Sequence, residues 1–272
     1  MTSPEARAEA GREPSEAPAP AGRELRCRYT TADLRVFTGQ EARRFVTRGN
    51  GDPQTDPDLA WELLYRLEPQ LYDRLATAEH LHSGVLAWLP RGVDTIAEVG
   101  AGTGRLTLEL IGRARQVVAV EPAVPLRRIL QRKLAAAEHG DRVQVKHGFF
   151  DDLPLPSDFA DLVVACSAFT PAAKHGGEAG LAEMERVCRP GGCVAFVWPN
   201  HLEWLSARGY RYISFPGPMS VEFGSCQDAA ELTAIFYPRA AERVRQLGLR
   251  TVPFEVLGIN PPRDVAFKVL AG

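Results

Sequence analysis

Short apolar runs recur through the C-terminal two thirds of the chain, and segments with helical spacing of apolar residues separate them. The clearest runs are residues 95–99, 116–120, 159–165 and 193–198. Runs of this length without polar alternation are typical of strands that are buried on both faces of a parallel sheet. The pattern therefore predicts an α/β fold, in which a twisted, mostly parallel sheet is flanked by helices.

Further elements follow from weaker patterns. Residues 141–147 alternate between polar and apolar, while residues 249–257 and 265–270 are apolar segments joined by a turn rich in Gly, Asn and Pro. We predict strands at all three. Helices are predicted at residues 105–111, 125–138, 178–188 and 228–248, with the third ended by Arg189-Pro190-Gly191-Gly192.

The first 90 residues differ in composition from the rest. Residues 1–23 contain no aromatic side chain and are expected to be disordered, because they cannot bury enough apolar surface. Residues 24–90 are predicted to be a mixed, partly helical region whose leucines recur at helical spacing from 58 to 89, with a break at Pro69. Residues 91–272 then form the main domain.

Three glycines directly follow the first predicted strand. Gly100, Gly102 and Gly104 stand at alternate positions, and the helix predicted from Arg105 comes next. Glycine lets the chain turn sharply and lets a ligand approach bare backbone, and the free N–H groups of a helix start favour polar ligands. This order predicts a small-molecule site above the strand, although a tight turn alone would also account for the glycines.

An acidic residue ends the second predicted strand. Glu121 lies seventeen residues after Gly104. A carboxylate at this place is suited to accept both hydroxyls of a ribose. Glu98 precedes the glycines and would repel a pyrophosphate, and Gly-x-Gly-x-Gly is one residue shorter than the dinucleotide fingerprint Gly-x-Gly-x-x-Gly. Both features disfavour a nicotinamide cofactor.

The motifs Glu98-Val99-Gly100-Ala101-Gly102-Thr103-Gly104 and Val120-Glu121-Pro122 resemble those of the class I S-adenosylmethionine-dependent methyltransferases, in particular the type 11-like branch. The resemblance implies a Rossmann-like, seven-stranded sheet closed by an antiparallel C-terminal hairpin, and S-adenosyl-L-methionine as cofactor. It also implies that Glu98 helps to hold the methionine ammonium and that residues 24–90 cap the substrate side.

The same resemblance implies a set of cofactor-binding residues. They are Glu98, Gly100, Ala101, Gly102, Thr103, Gly104, Glu121, Pro122, Phe149, Phe150 and Cys166. In the family an acid usually follows the glycine after the third strand and reaches the adenine amino group, whereas this chain has Phe149 there. Phe149 or Phe150 is expected to stack on the adenine instead, or Asp151 or Asp152 to supply the polar contact.

The acceptor side carries less sequence information. Residues 199–223 lack periodicity but are rich in aromatic residues, so they predict either a loop over the acceptor or a small subdomain with its own core. Methyl transfer mainly requires alignment, and no catalytic residue stands out. His175 and His201 follow the fourth and fifth strands and are the candidates for a general base, although each also suits an ordinary surface position.

Composition narrows the function classes. The 272 residues are 45% hydrophobic with a formal net charge of −2, which gives no general attraction to nucleic acid or to an anionic membrane. Five scattered cysteines, the lack of a signal sequence and the lack of a membrane span predict a cytoplasmic protein. No metal-ligand spacing is present.

These features predict methyl transfer from S-adenosylmethionine to a small or medium-sized organic acceptor. The oligomeric state and the acceptor stay open. Two alternative functions are a non-catalytic cofactor-binding or partner-binding module on the same fold, which Phe149 favours, and a nucleotide-dependent oxidoreductase.

Overall fold

The computed structural model describes residues 57–272, with side chains described from Trp61 onward. The predictions for residues 1–23, and for residues 24–56 of the N-terminal region, lie outside the described residues. Nine strands are found in this part of the chain: β1 (Val93–Val99), β2 (Ala114–Val120), β3 (Val143–Lys146), β4 (Ala160–Cys166), β5 (Cys188–Val197), β6 (Arg211–Ser214), β7 (Ser220–Glu222), β8 (Thr251–Pro253) and β9 (Asp264–Val269).

Ten α-helices accompany these strands within the described residues. They are α1 (Pro57–Leu67), α2 (Pro69–Ala78), α3 (Ser83–Trp88), α4 (Thr107–Leu110), α5 (Val124–Ala136), α6 (Gly177–Val187), α7 (Leu202–Ser206), α8 (Cys226–Phe236), α9 (Pro238–Leu247) and α10 (Phe254–Leu257). The predicted break at Pro69 is confirmed, since α1 ends before this residue and α2 begins with it.

Seven of the strands form one sheet in the order β3-β2-β1-β4-β5-β9-β6. The pairs among β1 to β5 are parallel, and β9 is antiparallel to both of its neighbours. The predicted Rossmann-like, mostly parallel sheet with an antiparallel edge is therefore confirmed. Strands β7 and β8 pair separately as a two-stranded sheet.

Both faces of the main sheet are buried, as the uninterrupted apolar runs predict. Ile96 and Leu162 belong to a core that also contains Leu64 and Leu75 from the N-terminal helices. Ala97 and its neighbours on the opposite face pack against α6. Since successive side chains of a strand alternate between faces, β1 contributes to both cores.

The antiparallel edge contains the predicted strand at residues 265–270, which is β9, but its partner is not the predicted one. Residues 249–257 were expected to be one strand of the C-terminal hairpin, but β8 covers only Thr251–Pro253 and lies outside the main sheet. The chain then forms α10, whose Phe254 and Leu257 are buried one turn apart and whose end is capped by Gly258 at φ 73°. The partner of β9 is β6, from the stretch that showed no periodicity.

Two predicted helix ends are also corrected. The helix at 228–248 is two helices, because Pro238 lacks the N–H that a continuous helix requires and Tyr237 leaves the helical conformation at φ −136°. Helix α6 ends at Val187, but residues 188–192 belong to β5 rather than forming a glycine cap. Gly191 adopts a left-handed φ of 74° there, and the β4–β5 register shifts between Ala160 and Leu162, as in a β-bulge.

Two further boundaries differ. The helix predicted at 105–111 is reduced to the single turn of α4, because the chain is still turning through Leu106 after Gly104 at φ 100°. The strand predicted at 141–147 is shortened to β3, because a 3₁₀ turn at Gly140–Arg142 precedes it.

Candidate cofactor crevice and acceptor pocket

The glycine loop has no room for side chains at Gly100 and Gly104, and all three of its glycines have backbone angles that disfavour other residues. Gly100, Gly102 and Gly104 all have positive φ angles, of 75°, 56° and 100°. A Cβ atom on Gly100 would lie 2.8 Å from the Cβ of Ala168, and one on Gly104 would lie 2.7 Å from Cδ1 of Leu130. The backbone N–H groups of Gly100 and Ala101 donate to the carbonyl of Val120, which fixes the loop against the end of β2.

Glu121 is buried directly beyond β2 and is bonded to the glycine loop. Its Oε2 accepts a hydrogen bond from the Gly102 N–H at 2.8 Å, and its Oε1 accepts one from the Ala123 N–H at 2.8 Å. Burial raises the pKa of this carboxyl, and the two backbone donors oppose that shift. A carboxylate has about four lone-pair positions, so each oxygen keeps the capacity for a second donor such as a ribose hydroxyl.

Glu98 is the second buried carboxyl group at this edge. Its Oε2 accepts a hydrogen bond from the Thr107 hydroxyl at 2.5 Å. Burial raises the pKa of Glu98 to about 8, with the nearby Glu121 contributing in the same direction. A cation placed beside Glu98 would favour its ionised form, so the position is suited to a positively charged ligand group.

A crevice of about 260 Å³ opens at these residues. Its walls are the glycine loop, the end of β1, the end of β4 and one face of α2; they consist of Tyr72, Ala76, Glu98, Gly100, Ala101, Thr103, Arg105, Leu106 and Cys166. Thr103 Oγ1 is buried in this wall without a hydrogen-bond partner among the described residues. The crevice therefore offers an unused polar group as well as a buried acid.

Arg105 brings a positive charge to the same crevice. Its Nη2 donates to Glu79 Oε2 at 2.5 Å, its Nε donates to the carbonyl of Ala76 at 3.1 Å, and its guanidinium carbon lies 5.3 Å from the centroid of the Trp198 ring. A crevice with Glu98 and Arg105 in its wall matches a ligand that carries both charges of an amino acid. The residues present thus fit the methionine end of S-adenosylmethionine.

Sequence reasoning missed Arg105 and Tyr72. The position of Arg105 directly after the third glycine was an available signal. Tyr72 had none, since only the fold brings α2 to the glycine loop, where a Cβ on Gly102 would lie 3.3 Å from the Tyr72 hydroxyl.

The predicted adenine-side aromatics occupy different surroundings. Phe149 is 51% exposed and lies edge-on to His147, with ring centroids 5.2 Å apart. Phe150 packs edge-on against Phe169 at 5.1 Å, and its Cζ would lie 3.1 Å from a Cβ on Gly100. Neither ring lines the crevice, and their stacking on adenine stays a prediction. A role for Pro122 in cofactor binding also stays a prediction; its carbonyl accepts a hydrogen bond from Arg127 at 2.7 Å.

A second pocket, which we call the acceptor pocket, lies at the carboxyl ends of β4 and β5. It encloses about 280 Å³ and is lined by Ala165, Ser167, Phe169, Pro171, Phe196, Val197, Pro199, Asn200, His201, Trp204 and Leu205. Ser167 and Trp198, the residues that directly follow the two strands, both adopt a left-handed φ of 54°. Such backbone conformations are costly for non-glycine residues and cluster at functional sites.

The two histidine candidates are separated by the structure. His201 is exposed at the rim of the acceptor pocket, where neighbouring protein atoms desolvate the imidazole and lower its pKa. His175 ends a 3₁₀ turn at Ala173–His175 and does not line the pocket. Only His201 therefore stands beside a cavity that could hold an acceptor.

The aromatic residues of the stretch 199–223 lie in two different places, the protein core and the border of the acceptor pocket. Tyr210 and Phe223 are buried in the cores, and the Tyr212 hydroxyl donates to Asp264 Oδ2 at 2.9 Å across β6 and β9. Trp204 instead borders the acceptor pocket. Neither of the two alternatives predicted for this stretch, a loop over the acceptor or a small subdomain, describes all of it, because residues 211–214 form β6 of the main sheet.

Residues 57–272 contain neither a membrane-spanning helix nor a cluster of metal ligands. No helix there is both long and apolar enough to cross a bilayer. No group of three His, Cys, Asp or Glu side chains in that range is arranged to hold a metal ion.

Known proteins similar to this chain share its central segment. Residues 96–192 match the family described as "Methyltransferase domain". An uncharacterised methyltransferase of Geobacillus kaustophilus is 29% identical over 143 residues, which cover 49% of this chain and 64% of the relative. One of Mycobacterium tuberculosis is 30% identical over 127 residues, covering 44% and 47%.

The similarity in structure extends further. The [4+2]-cyclase SpnF superposes with a TM-score of 0.50 at 15% identity, covering 78% of this chain and 96% of that protein. The chain spans about half to two thirds of the length of the curated relatives that it matches. Residues 96–192 thus match a methyltransferase domain, and the strand order and the glycine loop with its two acids are those expected from the resemblance to the class I S-adenosylmethionine-dependent methyltransferases.

Proposed function

We propose that this protein transfers a methyl group from S-adenosylmethionine to a small or medium-sized organic acceptor. The observation that carries the proposal is the pair of buried carboxyl groups, Glu98 and Glu121, on either side of a glycine loop whose backbone carries no obstructing side chains at Gly100, Gly102 and Gly104. Glu98 lines the crevice and would accept from an ammonium group, and Glu121, bonded to the Gly102 N–H beside it, would accept from a ribose.

Each end of the cofactor has a suitable partner. Glu98 would hold the methionine ammonium, and Arg105 would face the methionine carboxylate while Glu79 keeps its guanidinium in place. Glu121 would accept the ribose hydroxyls with its free lone pairs, and Thr103 would supply a further hydroxyl. The Tyr72 side chain, from α2, would help to exclude water above Gly102.

When bound, S-adenosylmethionine supplies a methyl group that is already activated by a positively charged sulfur. The protein's contribution is then to align an acceptor and to keep water out, and alignment can account for much of the acceleration. The acceptor pocket lies beside the crevice: Cys166 lines the crevice, and its chain neighbours Ala165 and Ser167 line the pocket.

Two other functions are compatible with the fold. SpnF, which has a similar fold, is a [4+2]-cyclase, and one scaffold can host several chemistries. A module that binds the cofactor without catalysis would keep the crevice but would not methylate any acceptor. A nicotinamide-dependent oxidoreductase is disfavoured because Glu98 lies where a pyrophosphate would approach the glycine loop.

Calorimetric titration tests the proposal. S-adenosylhomocysteine should bind with one site per chain, and NAD should not bind. Binding of NAD alone would overturn the proposal in favour of the oxidoreductase, and binding of neither compound would overturn the cofactor assignment. A radioactive methyl-transfer assay with a panel of small hydroxyl, amine and thiol compounds then separates catalysis from binding alone.

A further inference from the structure

We propose that the acceptor pocket binds an uncharged, planar molecule of one or two rings whose hydroxyl group donates a hydrogen bond to His201. This inference rests on the proposed function, because it names the class of acceptor for the same site. Its support comes from the lining, the rigidity and the polar rim of the pocket.

The lining excludes charged ligands. No Lys, Arg, Asp or Glu is among the described residues that line the pocket, and its floor consists of Ala165, Phe196, Val197 and Leu205, all of them buried. A charged group placed there would lose its hydration without gaining an ionic partner, at a cost of several kcal/mol. An uncharged ligand avoids that cost.

The aromatic side chains that line the pocket favour a flat ring. The pocket is open to solvent on one side, so a ring can enter between these side chains. Phe169 lies 4.9 Å from Phe196 and 6.0 Å from Trp204, measured between ring centroids, and the second pair is tilted by 40°. Aromatic walls of this kind bind another ring through edge and face contacts.

Trp204 is held in place from outside the pocket. The guanidinium carbon of Arg208 lies 3.7 Å from the centroid of the Trp204 ring, and Arg208 Nη1 donates to the Trp204 carbonyl at 2.8 Å. Glu178, from α6, in turn accepts from Arg208 Nε at 3.0 Å. A wall that is fixed before binding costs less ordering entropy when the ligand enters.

The polar rim selects a hydrogen-bond donor. His201 begins α7 but does not cap it with its side chain, and among the described residues no hydrogen-bond partner of its imidazole is found. Desolvation lowers its pKa, so the ring is mainly neutral near pH 7 and one of its nitrogens accepts a hydrogen bond. A ligand hydroxyl supplies the matching donor without carrying charge.

Three probes of equal ring size test the inference: 2-naphthol, 2-methoxynaphthalene and 2-naphthoate, each titrated against protein saturated with S-adenosylhomocysteine and followed by naphthalene fluorescence. We expect 2-naphthol to bind about tenfold more tightly than the ether, which lacks the donor, and the anionic 2-naphthoate to bind more weakly still. His201→Ala should remove the preference for 2-naphthol over the ether, and Trp204→Leu should weaken both uncharged probes.

His80→Ala is the matched control, since the His80 side chain is 60% exposed and does not line the pocket. It should leave all three affinities unchanged. Equal affinities for the three probes, no binding of any probe, or a naphthol preference that survives in folded His201→Ala would overturn the inference. The proposed function fails separately, when S-adenosylhomocysteine does not bind; saturable binding of that compound with no naphthol preference refutes only the acceptor class.

Discussion

At the scale of single residues, the proposed contact between Glu98 and the ligand's ammonium group would make cofactor binding depend on proton release. Its pKa is about 8, so its carboxyl group is mostly protonated at pH 7. An ammonium group beside it would lower that pKa, and the complex would hold the ionised form. Binding of S-adenosylhomocysteine at pH 7 should therefore release about one proton.

Calorimetry in buffers of different ionisation enthalpy measures that proton. The binding enthalpy should change with the buffer in wild type and should be independent of the buffer in Glu98→Gln. Glu138→Gln is the control, since the Glu138 side chain is 91% exposed, and it should behave as wild type. A buffer-independent enthalpy in wild type would show that Glu98 does not meet the ligand's cation.

The same residue predicts how stability depends on pH. Between the unfolded pKa of 4.5 and the folded pKa of about 8, the folded protein binds more protons at Glu98 than the unfolded chain does. The contribution of Glu98 to the free energy of unfolding therefore falls as pH rises through this window. Urea denaturation without cofactor should show a smaller fall from pH 5 to pH 8 in Glu98→Gln than in wild type; an identical fall would contradict the raised pKa.

Glu121 tests the ribose assignment. Glu121→Ala would remove a charged acceptor from the ribose hydroxyls, a hydrogen bond worth about 1.5–3 kcal/mol, so the affinity for S-adenosylhomocysteine should fall about tenfold or more. Circular dichroism checks that the variant folds, because Glu121 also accepts from Gly102 and Ala123. Unchanged affinity in a folded variant would place the ribose elsewhere.

At the scale of elements, two glycine variants distinguish a loss of ligand binding from the loss of stability that any side chain causes at a left-handed φ. Gly102→Val should abolish cofactor binding, because the side chain would stand between Tyr72 and the loop. Gly112 provides the comparison: its φ of 77° imposes a similar strain, but no atom lies within 4 Å of the site of a Cβ. Gly112→Val should lose stability yet bind S-adenosylhomocysteine. Retained binding in Gly102→Val, measured by calorimetry, would mean that the ligand does not lie on this loop.

A buried charged cluster joins α2, the glycine loop and the junction of α8 and α9. Glu79 is completely buried and accepts hydrogen bonds from Arg105 and from the Tyr237 hydroxyl. Glu79→Ala leaves the partly buried Arg105 without its carboxylate and should cost about 3–5 kcal/mol in the free energy of unfolding. Urea denaturation measures this loss, and Glu62→Ala, in an exposed pair with Arg66, should change stability by less than about 1 kcal/mol.

At the scale of the whole molecule, local patterns predicted the parts of the fold that depend on neighbours in sequence. The sequence correctly predicted β1, β2, β4 and β5 and the loop from Gly100 to Gly104. Burial on both faces of a strand and the spacing of glycines are both visible within a short segment of sequence. Glu98 and Glu121 follow directly from these strands and both are buried, Glu98 in the crevice wall and Glu121 against the glycine loop. Their roles toward a ligand stay predictions.

Other parts depend on pairings between distant residues. Strand β6 was not predicted, because its only strand partner in the main sheet is β9, which comes some fifty residues later, through pairs such as Tyr212 with Ala266. Tyr72 and the lining of the acceptor pocket were missed for the same reason. A four-residue strand carries too little periodicity to be recognised without its partner.

The role of β6 can be measured by hydrogen exchange. The amides of β6 that bond to β9 should be protected in the ligand-free protein. The amides of Asn200 and His201, at the rim of the acceptor pocket, should exchange rapidly until cofactor and acceptor bind. Rapid exchange throughout 199–223 without ligand would instead favour a mobile loop over the acceptor, one of the two alternatives for this stretch.

The tip of β4 has a consequence for how this protein diversifies. The crevice and the acceptor pocket share no lining residue in the part of the chain that the structure describes, although they flank neighbouring positions of that strand. On the proposed assignment, mutations at Trp204 or His201 would exchange one acceptor for another without reaching the crevice, whereas Phe169 packs against Phe150 beside the glycine loop. New chemistry would then arise on this scaffold by substitutions in one pocket wall, without passing through an ancestor that has lost its methyl donor.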